Sequence, residues 1–117
     1  MDYSELKDQE INMLVAKIQH PDKNFIESKT RPPSVVLLNH INNWVDYCNN
    51  WSDAGPIIVD SEISLNSYSG TWEASYEYDA PIGAFGTDEL VTKAVEGKNP
   101  LRTAMIAFLM KREHSNA

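Results

Sequence analysis

The sequence predicts an α+β domain in which N-terminal, central and C-terminal helices pack with a small antiparallel sheet of two to four strands. Three observations carry that prediction. Apolar residues near the N-terminus recur at helical spacing, residues 71–79 alternate apolar or aromatic with acidic or small polar side chains, and Asn99-Pro100 opens a second apolar-periodic stretch. At 117 residues the chain has the size of one domain and can enclose one core, so residues 1–117 are read as a single unit.

The first helix spans residues 8–20. Ile11, Leu14, Val15 and Ile18 fall at i, i+3, i+4 and i+7 and share one face. Asp8 is the expected cap, Glu10 suits the positive end of the helix dipole, and His20-Pro21 ends the helix. Residues 21–34 hold three of the six prolines without sustained periodicity and read as a surface loop. Val35 to Leu38 is a short apolar run, read as a buried strand. Residues 39–50 contain five Asn, which compete for backbone hydrogen bonds, so irregular structure with buried aromatics is expected.

A central helix begins near Trp51-Ser52-Asp53-Ala54-Gly55-Pro56. With Asp53 as cap, Pro56 stands at the third helical position, where its missing N–H has no intrahelical partner. With Ser52 as cap, one bond is lost but Trp51 and Pro56 form a hydrophobic staple. Asp53 is preferred. Residues 62–65 read as a strand and 66–70 as a turn. Residues 71–79 form the clearest strand, with Trp72, Ala74, Tyr76 and Tyr78 on one face and Glu73, Ser75, Glu77 and Asp79 on the other. Residues 80–86 are a loop, and 89–95 are a returning strand or a short helix, with strand preferred. The last helix has Asn99 as cap and Pro100 at its first position, and runs to about residue 113 with Leu101, Ala104, Met105, Phe108 and Leu109 inward.

The net charge of −7 is unevenly placed. Residues 33–92 contain no Lys or Arg but nine carboxylates: Asp46, Asp53, Asp60, Glu62, Glu73, Glu77, Asp79, Asp88 and Glu89. Such a one-sign surface repels phosphates, so direct nucleic-acid binding is disfavoured. It attracts a basic protein instead, in a salt-sensitive way, unless the charge serves solubility alone. The N-terminus is acidic and polar and no apolar run approaches membrane length, so neither a signal peptide nor a span is expected. The lone Cys48 makes no internal disulfide, and the expected location is cytoplasmic.

Three segments carry a likeness to a known family. They are Met1 to Leu6 running into Glu10-Ile11-Asn12, then Cys48-Asn49-Asn50-Trp51-Ser52-Asp53-Ala54-Gly55-Pro56-Ile57-Ile58, then Asn99-Pro100-Leu101-Arg102-Thr103-Ala104-Met105. With Trp72-x-Ala74 between them, the chain resembles the NinX family of lambdoid phages and prophages. It is also similar to a broader group of phage proteins with an α-β-α sandwich. The resemblance implies a phage or prophage origin and that fold, and brings no catalytic residues with it.

Candidate chemistry is sparse. His40, Asp46 and Cys48 lack the spacing of a metal or nucleophile motif, and a buried thiol with a loop histidine is the preferred reading. Glu73, Glu77 and Asp79 lie on one strand face, a solvated surface that lacks the converging loop ligands of a Ca²⁺ or Mg²⁺ site. Asp53, Asp60 and Glu62 are carboxylates that nothing selects as an acid–base pair. Gly83-Ala84-Phe85-Gly86 lacks the spacing of a phosphate cradle. Trp44, Tyr47 and Trp51 are expected in the core first and at an interface second.

No cofactor or metal is therefore expected. The functional expectation is a non-catalytic accessory protein that binds a host or phage protein, a basic one by charge, through Glu73, Glu77 and Asp79 with Trp44, Tyr47 and Trp51. A sharper form is a mimic of nucleic-acid charge. The alternative is a small enzyme or a ligand- or metal-binding protein built on carboxylates.

Overall fold

The computed structural model describes residues 2–38, 41–81 and 88–115. After a 3-10 turn at Tyr3–Glu5 the order is α1 (Asp8–Gln19), β1 (Phe25–Glu27), β2 (Val35–Leu37), β3 (Asn43–Val45), α2 (Trp51–Asp60), β4 (Ser64–Tyr68), β5 (Thr71–Ala80), β6 (Glu89–Gly97) and α3 (Pro100–Ser115). The α+β class holds, with the strands shared between two three-stranded antiparallel sheets, β1-β2-β3 and β4-β5-β6.

α3 is the central element of the core. It packs on β5 and β6 and also meets α1 and α2, while α1 lies against β1 and β2. All five residues expected on its apolar face are buried. Asn99 caps it as predicted, its Oδ1 accepting from the N–H groups of Leu101 at 2.9 Å and Arg102 at 3.2 Å. The strand before it ends at Gly97, a position that excludes a side chain: a Cβ there would collide with Oγ1 of Thr103. That hydroxyl is held by the carbonyl of Asn99 at 2.7 Å.

The other helix starts depart from expectation. Lys7, not Asp8, is the cap residue of α1, and its N–H donates to Oε1 of Glu10 at 3.1 Å. The Asp8 carboxylate is occupied elsewhere. α2 starts earlier than either Ser52 or Asp53 as cap allows. Asn50 caps it by accepting from the Ser52 N–H at 2.9 Å and its hydroxyl at 2.6 Å. Pro56 therefore stands inside the helix, where its missing N–H leaves one carbonyl of the ladder without its usual donor. One asparagine of the Asn-rich segment thus starts a helix instead of breaking regular structure.

Local pattern also missed strands too short to show a period. Phe25–Glu27 lies in the expected loop yet pairs with β2, Phe25 opposite Leu37 and Glu27 opposite Val35. Asn43–Val45 likewise forms β3 within the segment expected to be irregular. The expected strand at 62–65 and turn at 66–70 become β4 through Tyr68 and a two-residue turn. Ser69 and Gly70 have φ of +45° and +85°, the backbone twist that matches a hairpin. β5 and β6 form as expected, the alternative of a short helix at 89–95 being excluded by nine consecutive pairs.

Candidate functional site

The inner face of β5 is built by its alternation. Ala74 and Tyr76 are buried and Tyr78 is partly buried against the core. The Tyr78 ring stacks on His114 of α3, with centroids 3.8 Å apart and planes at 10°. Helix α3 covers this face, so the opposite face meets solvent. Glu73 is partly exposed there, and Glu77 and Asp79 are exposed.

Register adds a fourth carboxylate. Glu73 stands directly across from Glu96 of β6, while Glu77 faces Thr92 and Asp79 faces Leu90. On the other side Glu73 faces Asn66 of β4. Cross-strand partners share a face, and no Lys or Arg occurs among the residues that pair with this side of β5. Glu96 escapes a sequence reading because it follows Lys93 and lies outside the acidic stretch. Only pairing brings it beside Glu73.

The aromatic candidates separate. Tyr47 is in the core, 3% exposed, and presents no surface. Trp44 and Trp51 are not core residues, at 46% and 57% exposed. Trp51 is the first residue of α2, and Trp44 lies on the outer side of the β1-β2-β3 sheet in a row with Val36 and Ile26. The guanidinium of Arg31 sits 4.2 Å from the Trp44 ring centroid, a cation–π contact. The structure does not gather these three aromatics with the acidic face.

The segments that carry the family likeness meet in a second place, a polar junction under α1. Asn12 is fully buried. Its Nδ2 donates to Oδ1 of Asp46 at 2.8 Å and to the Pro33 carbonyl at 3.1 Å, and its Oδ1 accepts from the Cys48 N–H at 3.0 Å. Oδ2 of Asp53 accepts from the Asp46 N–H at 2.9 Å. Nδ2 of Asn99 donates to the Cys48 carbonyl at 2.8 Å. Arg102 donates to Oδ1 of Asp8 at 2.8 Å and to the carbonyl of Leu6 at 2.7 Å. Asn12 lies at the edge of the expected apolar face, between Val15 and Ala16 around the helix, and all three are buried.

Hydrogen bonding explains much of the likeness. Asp53 and Asn99 hold backbone groups, Ala54 and Leu101 are buried, and Pro100 begins α3. Trp72 is partly buried at the end of β5, opposite Ser67 and Gly97. For Gly55 no steric reason exists, because a Cβ there would meet open space.

Nothing in this junction is poised for chemistry. Burial pushes the Cys48 thiol well above its usual range, with the Asp8 and Asp46 charges adding to it and Arg102 opposing. A thiol so held is a poor nucleophile. His40 and the Gly83–Gly86 segment lie outside the described residues. Among the described residues no three His, Cys, Asp or Glu side chains gather as metal ligands would. Asp53 is engaged, and Asp60 stands seven residues further along the same helix, roughly 10 Å away by the helical rise.

Tyr47 offers a pH test of the core. Burial, with the nearby Asp53 charge, pushes its hydroxyl up to about 12 from the ordinary 10.0. The folded state therefore binds this proton more tightly than the unfolded state. Its contribution is complete below pH 10 and is lost as pH rises toward 12, a swing on the order of 3 kcal/mol. Tyr3 and Tyr76 are raised by burial in the same direction. In urea titrations across that window, Tyr47→Phe is expected to lose stability less steeply than wild type. An unchanged slope would contradict the assignment.

These features define a small α+β protein with an open acidic sheet face and a polar knot tying its N-terminal, central and C-terminal segments together. The chain belongs to the family described as Bacteriophage P22, NinX, whose family model matches residues 2–112. Membership puts it among phage accessory proteins. No curated protein matches the chain. No helix among the described residues is long and apolar enough to cross a membrane.

Proposed function

We propose that this chain is a non-catalytic accessory protein that binds a basic protein through the outer face of the β4-β5-β6 sheet, with Glu73, Glu77, Asp79 and Glu96 as the contact charges. The supporting observation is Glu73 directly opposite Glu96, with no Lys or Arg among the residues that pair with this side of β5. Like charges across a strand pair destabilise a sheet by about 0.2–1 kcal/mol, so this pairing costs the free protein something and is relieved by a positive partner. Solubility needs no such juxtaposition, because scattered carboxylates supply it equally well. The attraction would raise the association rate and weaken with salt.

The test is affinity capture from host lysate at low and high salt, with mass-spectrometric identification of what is retained. A basic protein held at low salt and released at high salt is the expected result. If that protein itself binds nucleic acid, the face acts as a mimic of nucleic-acid charge. An empty capture at both salts would contradict the proposal. The competing small-ligand reading has one observation behind it, a cavity of about 660 Å³ lined by Glu77, Asp79, Asp88, Lys111 and His114. Thermal-shift screening with metal ions and small anions separates the two readings.

A further inference from the structure

β6 leaves one side of its backbone open. It pairs with β5 residue for residue from Glu89 opposite Ala80 to Gly97 opposite Trp72, without a bulge, and it ends the strand order of its sheet. Among the described residues no backbone hydrogen bond from another element reaches it. Along an antiparallel pair alternate N–H and C=O groups point away from the partner strand. Proteins ordinarily shorten, bulge or cover such an edge, or break it with proline or charge. This one runs for nine residues with no proline, its charges being Glu89, Lys93 and Glu96.

Beside its C-terminal end lies a hollow of about 410 Å³ walled by Val95, Glu96, Ile106, Met110, Tyr3, Ser4 and Asp2. Val95 and Glu96 are neighbours in the strand, so their side chains belong to opposite faces of the sheet. A hollow that touches both opens across the strand's free edge, with Ile106, Met110 and Tyr3 on one side and the polar Asp2 and Ser4 at its rim.

The geometry points to β6 as an acceptor strand: an extended segment of the partner pairs with its free edge as the next strand of the sheet. Alternation dictates what that segment carries. On the outer face the segment passes Leu90, Thr92, Ala94 and Glu96, and its side chains are basic where they reach Glu96 and the acidic row of the neighbouring β5. On the inner face the segment passes Val91, Lys93 and Val95, and its side chains beside the two valines are apolar, one of them reaching the hollow. A second copy of this chain suits the edge poorly, because each copy carries −7 and edge-to-edge pairing sets two acidic faces side by side. This inference rests on the acidic face being the contact surface and adds the backbone mode by which the partner is held.

Two short peptides of equal composition test it. In one, lysine and valine alternate; in the other, the lysines are grouped at one end. The alternating peptide is expected to bind the full chain at least about tenfold more tightly. It should slow hydrogen exchange at alternate amides of β6, and N-methylation of its pairing edge should abolish the difference. Equal binding of both peptides with unchanged β6 exchange would overturn the acceptor strand and leave the acidic-face reading standing. Failure of both peptides to bind at low salt would overturn both. A dimer by light scattering with β6 already protected would overturn it in favour of self-pairing.

Discussion

Replacing Asn12 by alanine is expected to destabilise the protein by about 3–5 kcal/mol, close to the whole stability of many small domains. The size follows from what the side chain holds. Asn12 is fully buried and engages the Asp46 carboxylate, the Pro33 carbonyl and the Cys48 N–H. Alanine removes three hydrogen bonds at once and leaves the buried Cys48 N–H without its acceptor, and an unsatisfied buried group costs roughly 1–3 kcal/mol. Asn12→Asp is informative beside it. The acceptor for Cys48 survives, but a carboxylate then faces Asp46 where an N–H₂ donor stood. Both variants should fall well below wild type in urea denaturation. A loss below about 1 kcal/mol for the alanine variant would show that the junction relaxes around the gap.

Replacing Arg102 by methionine is expected to cost about 2–3 kcal/mol, most of it through hydrogen bonds to backbone rather than through charge. The guanidinium bonds the carbonyls of Leu6 at 2.7 Å and Ser4 at 3.2 Å as well as Asp8 at 2.8 Å. The ion pair is partly exposed, with side chains 23% and 30% accessible, so water screens it and its own share is below about 1 kcal/mol. A double-mutant cycle with Asp8→Asn measures that share directly. Hydrogen exchange supplies the structural readout. Amides from Ser4 to Leu6 should exchange faster in Arg102→Met, because the side chain ties this segment to α3. Protection unchanged there would mean that Tyr3, itself bonded to Glu113, holds the segment alone.

Where the sequence was readable, a local rule governed the structure. The Asn99-Pro100 start of α3 needs only a cap and a residue without N–H, both adjacent in the chain. The two faces of β5 follow from alternation at period two, visible in one stretch of the chain. Elements fixed by distant pairing were the ones missed. β1 is three residues long, and its strand character comes from β2, eight or more residues away. Asn50 looked like one more breaker because its role depends on Ser52 folding over it.

The site divides along the same line. Glu73, Glu77 and Asp79 were legible as one face because alternation alone aligns them, whereas Glu96 joins them through the register of β6. The grouping of Trp44, Tyr47 and Trp51 failed for a related reason. Nearness in sequence says little about shared surface when a short strand and a helix start intervene, and these residues end on an outer sheet face, in the core and on a helix. The polar junction shows the other side of this. Residues as far apart as Asp8 and Arg102 meet there, so a family likeness scattered over three segments is one structural feature.

The most direct test of the account is the affinity of the captured partner for wild type and for Glu73→Gln/Glu77→Gln/Asp79→Asn, measured across a range of salt. Removing these charges leaves the core untouched and relieves repulsion, so the variant should be at least as stable as wild type. The account predicts affinity lower by about tenfold or more at low salt, with the salt dependence flattened. Equal affinity and an equal salt slope would contradict it and place the contact elsewhere on the molecule.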